Sequence, residues 1–348
     1  MSSILYDGEA LETVAGFPVL YHYIPANESN PLIIFVPGTA HLARIFYGYP
    51  DGKIEDFVAY WVNKADFPFL AISYPMANEV FGSTHPDFTI ADWGLQVAEV
   101  IAKVITEYQL PKSVIVCGWS MGGKIAGALG RAAAEQSFNI DMFVAIAAEP
   151  ALPGFLPAAN SQAVKMTEEG MASREGIYPA FYAAMDEQDK YNDHTIIPRK
   201  IYRSQFLGAV PIALIGTGLM YRDFSFKEDL ASALTTANTF GYLDYALPVV
   251  IQSDSMGDLE NVLCNVDDWA FIRNRVLVKK ILGNKPTDQV SRKEWELIKL
   301  LTRSSSEYFS QTVSGNHFCF VGSVGARSIV DKILTLYARV CSINHIVN

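Results

Sequence analysis

Short apolar runs alternate with segments of helical periodicity along most of the chain. The strand-sized runs cover residues 17–23, 31–36, 67–74, 113–117, 141–148, 248–252 and 308–313. Residues 17–23 alternate in polarity, as in an antiparallel strand, whereas 31–36 is continuously apolar, as in a strand buried on both faces. Helical spacing follows at residues 54–64, 90–110, 121–135, 291–303 and 323–340. This alternation predicts a mainly parallel sheet with helices on both faces.

The pattern changes between residues 151 and 246. This segment contains helical stretches and many aromatic residues, but no convincing buried strand. It has too many apolar residues to remain a solvated linker. We therefore predict a helical cap at residues 151–246, inserted into a core formed by residues 1–150 and 247–348.

Composition and charge narrow the functional classes. Of the 348 residues, 50% are hydrophobic and 18% charged, so the chain can bury a large core and is not disordered. With a net charge of −10, the chain lacks the basic surface expected of a nucleic-acid-binding protein. No run is long and apolar enough to predict a membrane span, and the first residues do not resemble a signal peptide.

The four cysteines are scattered along the sequence, without the spacing of a metal site: Cys117, Cys264, Cys319 and Cys341. Their expected state is a buried thiol in a reducing compartment, which predicts a cytoplasmic protein. No motif indicates a cofactor or a metal, so we expect neither. The sequence is also compatible with a homodimer.

The chemistry-bearing motif with the clearest context is Gly118-Trp119-Ser120-Met121-Gly122. It directly follows a predicted buried strand and directly precedes a predicted helix. A tight strand-to-helix turn would lift the Ser120 hydroxyl into a cleft, and it needs small residues two positions before and after the serine. The helix N-terminus would place positive partial charge beneath it. Ser120 is therefore the predicted nucleophile.

A serine nucleophile needs a base and an acid. His317 lies in a loop after the last predicted strand, where the chain order serine, acid, histidine would place the base. The acid is expected in the loop after residues 248–252, where Asp258 is favoured over Asp254. The remaining alternatives are Glu149, Asp267 and Asp268.

A tetrahedral intermediate needs backbone N–H donors. Met121 follows the nucleophile, and Thr39 lies in the loop after the strand at residues 31–36, so we assign the oxyanion hole to Thr39 and Met121. Gly38, His41 and Trp119 are predicted to line the substrate site.

Together, the Gly-Trp-Ser-Met-Gly-Gly turn, the Pro37-Gly-Thr loop and the Gly-Asn-His-Phe segment resemble the α/β-hydrolase superfamily over residues 15–150 and 247–342. The resemblance implies a mostly parallel eight-stranded sheet flanked by helices, with a helical cap inserted after strand 6. Two departures are Pro37, where many members have histidine, and a longer than usual stretch between Asp258 and His317.

The leading interpretation is a serine hydrolase that cleaves a carboxylic ester or thioester of a small hydrophobic substrate through an acyl-Ser120 intermediate. The same triad could instead transfer the acyl group, close a lactone or cleave a C–C bond. From another class, the chain could be a ligand-binding protein on this scaffold with little turnover. A serine at the turn argues against the branches that use aspartate there.

Overall fold

The structure is a computed structural model that describes residues 5–151, 164–259, 262 and 265–347. Cys264 lies outside the described residues. Cys117 and Cys319 are buried, and burial raises the pKa of both thiols. Within the described ranges, no helix is both long and apolar enough to cross a lipid bilayer.

Eight strands form one sheet. A separate two-stranded hairpin follows the sixth of these strands in the sequence and precedes the last two. The strands are β1 (Glu9–Val14), β2 (Phe17–Ile24), β3 (Leu32–Val36), β4 (Phe69–Ser73), β5 (Ser113–Trp119), β6 (Asn139–Ile146), β7 (Leu219–Arg222), β8 (Ser225–Glu228), β9 (Pro248–Ser253) and β10 (Ser310–Val313). The order in the large sheet is β1-β2-β4-β3-β5-β6-β9-β10. Antiparallel pairs join β1 to β2 and β2 to β4, and the other pairs are parallel. The predicted eight-stranded, mostly parallel sheet is confirmed.

The α-helices of the described residues lie between the strands and after the last one. They are α1 (Val58–Lys64), α2 (Ile90–Glu107), α3 (Ala126–Glu135), α4 (Tyr178–Tyr191), α5 (Arg199–Gln205), α6 (Leu230–Thr236), α7 (Asn265–Leu282), α8 (Arg292–Arg303), α9 (Ser305–Phe309) and α10 (Ser323–Val347). The start of α2 is fixed by a capping box, in which the Thr89 hydroxyl accepts from the Asp92 N–H and the Asp92 carboxylate accepts from the Thr89 N–H.

The topology gathers several loops at one edge of the sheet. Strands β3, β5, β9 and β10 are parallel, so their carboxyl ends point to the same side. The segments that follow them are 37–41, 120–125, 254–258 and 314–318. Ligands bind at this edge of open parallel sheets. The predicted catalytic and oxyanion residues all belong to these segments.

We refer to residues 164–246, the described part of the predicted helical insertion, as the cap segment. It lies between β6 and β9 and contains α4, α5 and α6. It also contains the antiparallel hairpin β7–β8, which corrects the expectation of helices and loops alone. Each hairpin strand has only four residues and is of mixed exposure, so neither forms the continuous buried apolar run that the sequence pattern would reveal.

The cap segment is joined to the core by an ion pair between His194 and Asp56. His194 Nε2 lies 2.6 Å from Asp56 Oδ2, and His194 Nδ1 lies 2.7 Å from the Asn192 carbonyl oxygen. Both partners are hydrogen-bond acceptors, so the arrangement favours the protonated imidazole, in which both ring nitrogens carry hydrogen. The bond to Asp56 raises the pKa of His194 accordingly. Asp56 also accepts from the Ser323 N–H at the start of α10.

This pair predicts a pH-dependent contribution to stability. Because the folded-state pKa of His194 is above its unfolded value, the contribution is fully present below about pH 6.5 and is lost as pH rises through the folded pKa. We expect the melting temperature of His194→Gln to fall below that of the unmodified protein at pH 6, with a smaller difference at pH 9. Thermal denaturation at both pH values measures this, and a difference that does not change with pH contradicts it.

Candidate active site

Ser120 lies at a sharp turn at the carboxyl end of β5. Its φ is +53°, in the left-handed region that costs a non-glycine residue about 1–3 kcal/mol. A 3₁₀ turn over Ser120–Ile125 follows, and α3 begins only at Ala126, so the predicted helix starts later than its sequence pattern indicates. A strained serine between a buried strand and a helix is the geometry expected of a nucleophile elbow.

The neighbouring glycines are required by close approach of the backbone. A Cβ added to Gly118 would lie 2.7 Å from the Gly122 carbonyl oxygen, and one added to Gly122 would lie 2.6 Å from the Val36 carbonyl oxygen. Both distances are too short for a real Cβ, and the obstructing atoms are backbone. The two glycines therefore let the turn pack directly against the end of β3.

His317 and Asp258 form a hydrogen-bonded pair. His317 Nδ1 lies 3.0 Å from Asp258 Oδ1, and the Ser253 hydroxyl donates to Asp258 Oδ2 over 3.1 Å. The Asp258 side chain is 5% exposed and that of His317 is 23% exposed. A nearly buried carboxylate thus fixes one ring nitrogen, while the imidazole keeps access to the cleft.

The other acid candidates lie elsewhere. Asp254 accepts from the Ser314 hydroxyl over 2.9 Å and from the Gly315 N–H over 3.0 Å, so it holds the backbone of the loop that carries His317. Glu149 pairs with Lys124 over 2.9 Å. Asp267 and Asp268 lie in the first turn of α7, where burial and nearby carboxylates raise the pKa of Asp268 to about 6.

The three predicted catalytic side chains share one cleft of about 530 Å³. Its described wall combines the carboxyl edge of the sheet with one face of α4. The lining residues are Ser120, Ala180, Phe181, Ala183, Ala184, Glu187, Ser255, Gly257, Asp258, Asn316, His317 and Phe318. The contribution of α4 could not be predicted, since nothing in the sequence shows which face of a cap helix turns toward the core.

The loop after β3 lies against Ser120. A Cβ added to Gly38 would lie 2.9 Å from the Ser120 Cβ, so only glycine fits there without displacement. The Tyr74 hydroxyl donates to the Gly38 carbonyl oxygen over 2.9 Å, and burial raises the pKa of this hydroxyl, which keeps it protonated. In a trans peptide the carbonyl and the following N–H point in opposite directions. Tyr74 therefore fixes the direction of the Thr39 N–H.

His41 fixes the next peptide. Its Nδ1 lies 2.8 Å from the Thr39 carbonyl oxygen and its Nε2 lies 2.7 Å from the Tyr202 hydroxyl. Burial lowers the pKa of His41 to about 3, so the ring is neutral. A carbonyl only accepts, hence Nδ1 carries the hydrogen and Nε2 accepts from Tyr202. Since Tyr202 belongs to α5, the loop conformation depends on the cap segment.

Two residues expected to line the substrate site lie behind it. His41 has no exposed surface and Trp119 is 1% exposed. The Trp119 indole N–H donates to the His317 carbonyl oxygen over 3.0 Å, and its ring packs edge-on against that of His41. In the described structure both side chains use their polar atoms inside the protein and support the loops, and their contact with substrate stays a prediction. Gly38 is also buried, beneath Ser120.

Asn316 joins the histidine loop to the cap segment. Its Nδ2 donates to the Ala184 carbonyl oxygen over 2.9 Å and to Glu187 Oε2 over 2.8 Å. Its Oδ1 accepts from Gln188 Nε2 over 3.1 Å and from the Phe318 N–H over 2.9 Å. The side chain therefore uses its full hydrogen-bonding capacity. Because Asn316 directly precedes the predicted base His317, its position in the sequence could have identified it as a site residue.

Comparisons with known proteins agree with this architecture. Residues 33–313 match the alpha/beta hydrolase family. One similar solved structure is AqDC, described for recognition and ring-cleavage of the Pseudomonas quinolone signal, with a TM-score of 0.54 and 12% identity, covering 94% of this chain and 99% of that one. Another is a malate-bound thermophilic esterase from Thermogutta terrifontis, with a TM-score of 0.48 and 13% identity over 94% and 99%. A search of curated proteins found no match. Because the family match covers most of the chain, the protein belongs to the alpha/beta hydrolase family.

Proposed function

We propose that the protein is a serine hydrolase that cleaves a carboxylic ester or thioester through an acyl-Ser120 intermediate. Membership of the alpha/beta hydrolase family supports hydrolase activity. The observation that carries the finer assignment is the hydrogen-bonded pair of His317 and Asp258, in the same cleft as a serine held at a strained φ of +53°.

The proposed reaction starts with proton transfer from the Ser120 hydroxyl to Nε2 of His317. The Ser120 oxygen attacks the carbonyl carbon, and the N–H groups of Thr39 and Met121 bind the oxyanion. The tetrahedral intermediate collapses, the C–O or C–S bond breaks, and the leaving group takes the proton from His317. Water then attacks the acyl-enzyme, with His317 again as base, and releases the carboxylic acid.

Asp258 acts through His317 in this scheme. Its bond to Nδ1 selects the tautomer in which Nε2 can accept a proton, and its charge stabilises the imidazolium that forms. The Ser253 hydroxyl holds the other carboxylate oxygen, so the plane of the carboxylate is also fixed. Preorganisation of this kind keeps the reacting groups in place before the substrate arrives.

The cleft wall supports a substrate with apolar parts. Alanine side chains from α4 and the partly exposed ring of Phe181 contribute apolar surface to it, and the buried ring of Phe318 packs behind them. Pockets for small molecules combine such apolar lining with a few polar groups that fix orientation. We therefore propose an ester or thioester with hydrophobic groups on at least one side of the reacting carbonyl.

A fluorophosphonate probe tests the proposed nucleophile directly. An activated serine displaces fluoride from phosphorus and keeps the phosphonyl group covalently, so the folded protein should gain the mass of one probe less HF, located on Ser120 by peptide mapping. Ser120→Ala should gain none, and His317→Ala should label far more slowly because the base is missing. A folded protein that remains unlabelled would favour the ligand-binding alternative, and a label retained in Ser120→Ala would move the nucleophile elsewhere.

Tyr74→Phe tests the proposed oxyanion loop. Removing an oxyanion donor outright costs about 10²–10³ in kcat. Tyr74→Phe leaves the Thr39 N–H present but releases the peptide that aims it, so we expect kcat to fall by roughly ten- to a hundredfold, with little change in KM. Steady-state kinetics on an activated ester measure this.

Tyr47→Phe is the matched control for that variant. The Tyr47 hydroxyl donates to Glu9 and the residue does not line the described cleft. Its loss should lower stability without selectively lowering kcat. Equal kinetic effects of the two substitutions would assign Tyr74 a purely structural role.

A further inference from the structure

One face of α4 lies over the cleft. Ala180, Ala184 and Glu187 follow each other at spacings of four and three residues, which places them on the same side of a helix, and all three line the cleft. The alanines leave room beneath the helix. Glu187 is the first charged residue on this face. At a rise of 1.5 Å per residue, it lies about 10 Å along the helix from Ala180.

Glu187 lies on the His317 side of the cleft. Asn316, the residue before His317, donates from Nδ2 to Glu187 Oε2 over 2.8 Å. In the proposed reaction His317 hands its proton to the departing alcohol or thiol, so the leaving group lies next to His317. The bond from Asn316 places the Glu187 carboxylate beside the loop that carries His317, and our proposal assigns it to the leaving-group part of the substrate.

The charge of Glu187 is not paired within the described part of the chain. No described lysine, arginine or histidine forms an ion pair with it, and its bond from Asn316 comes from a neutral amide. The nearby cations of α5 are paired with other acids: Arg199 with Asp186 and Arg203 with Glu175. The second carboxylate of the cleft wall, Asp258, is bonded to His317.

The ring of Phe181 lines this end of the cleft and is partly exposed. Phe318 is only 1% exposed, and its ring packs edge-on against Phe181 with centroids 5.7 Å apart. The face of an aromatic ring attracts ammonium groups within about 6 Å. A carboxylate beside the Phe181 ring fits a cationic ammonium group better than a neutral or an anionic one.

We propose that this site prefers esters of amino alcohols, in which the leaving group carries a protonated amine or a quaternary ammonium, and that Glu187 determines the preference. The inference rests on the proposed serine hydrolase function. It excludes substrates with an anionic leaving group, since the carboxylate would repel them. The net charge of −10 further favours the approach of cations.

A pair of esters of matched shape tests the preference. Butyrylcholine carries a trimethylammonium group, and 3,3-dimethylbutyl butyrate replaces that nitrogen by carbon and has no charge. We expect kcat/KM of the unmodified protein to favour butyrylcholine by about tenfold, a typical gain for one cation in such a site. In Glu187→Gln, which keeps an oxygen acceptor for Asn316, the ratio should fall to near one, through a higher KM for butyrylcholine.

Asp186→Asn is the matched control. It removes one negative charge from the same helix, at a residue that pairs with Arg199 and does not line the described cleft. The ratio of the two kcat/KM values should stay at that of the unmodified protein. A merely structural effect of a lost charge on α4 would appear in both variants.

The outcomes separate the inference from the proposed function. Equal turnover of the two esters, or an unchanged ratio in Glu187→Gln, overturns the inference and leaves the hydrolase standing. Labelling of Ser120 by the fluorophosphonate without turnover of butyrylcholine does the same. If neither ester is turned over and Ser120 is not labelled, the proposed function fails and the inference fails with it.

Discussion

Ser120→Ala is expected to lower kcat by about four to six orders of magnitude on any ester that the protein hydrolyses. The proposed mechanism has no second activated hydroxyl to accept the acyl group, so only binding and the oxyanion donors remain to assist direct attack by water. The variant keeps a Cβ at the position with φ of +53°, so the backbone strain stays the same. The fall in kcat is therefore caused by the missing hydroxyl and not by a change in the conformation of the turn.

Ser255→Ala is the control for this result. Ser255 also lines the cleft, and its hydroxyl accepts from the Gly257 N–H over 3.1 Å. Its removal should change kcat by less than about tenfold, because this hydroxyl is not hydrogen-bonded into the His317 and Asp258 pair. Rates are measured with p-nitrophenyl esters of graded chain length, and unfolding curves show that each variant is folded. If Ser255→Ala lost most of its activity while Ser120→Ala kept its activity, Ser255 and not Ser120 would be assigned as the nucleophile.

The buried strands could be predicted because strands that are covered on both faces of the sheet consist of consecutive apolar residues in the sequence. β3 and β4 are buried at every position, so each appears in the sequence as an uninterrupted apolar run. β1 was missed because it is an edge strand of mixed exposure. The turn at Ser120 could also be predicted, since the glycine requirement is a local steric property of the elbow. Such features depend on residues close together in the chain.

The rest of the site depends on contacts between distant segments. Asp254 and Asp258 are four residues apart in one loop, and only the fold shows that one contacts the imidazole and the other the backbone of its loop. His41 and Trp119 are suitable residue types for a substrate pocket, but their partners, the Tyr202 hydroxyl and the His317 carbonyl, are remote in sequence. Glu187 gives no sequence signal at all, because its position over the cleft is set by the packing of the cap segment.

Asp258→Asn is expected to lower kcat by about 10⁴-fold while the protein remains folded. An amide at this position cannot stabilise the imidazolium, and its N–H₂ group favours the wrong tautomer of His317. Because Asp258 acts through His317 and does not bind the substrate in the proposed mechanism, KM should change little. The rate of acylation is measured from the p-nitrophenol released in a single turnover, so that deacylation does not obscure it.

Asp254→Asn supplies the comparison that makes this prediction specific. The same change, four residues away, keeps an amide oxygen that can still accept from the Gly315 N–H, so the loop should hold its course. We expect acylation to slow by less than about tenfold, since the change only weakens the two charge-assisted hydrogen bonds from Ser314 and Gly315, and both lie outside the reacting groups. If Asp254→Asn proved as damaging as Asp258→Asn, the position of the His317 loop, and not the carboxylate on its imidazole, would limit the reaction. If only Asp254→Asn were damaging, the acid would have to be reassigned.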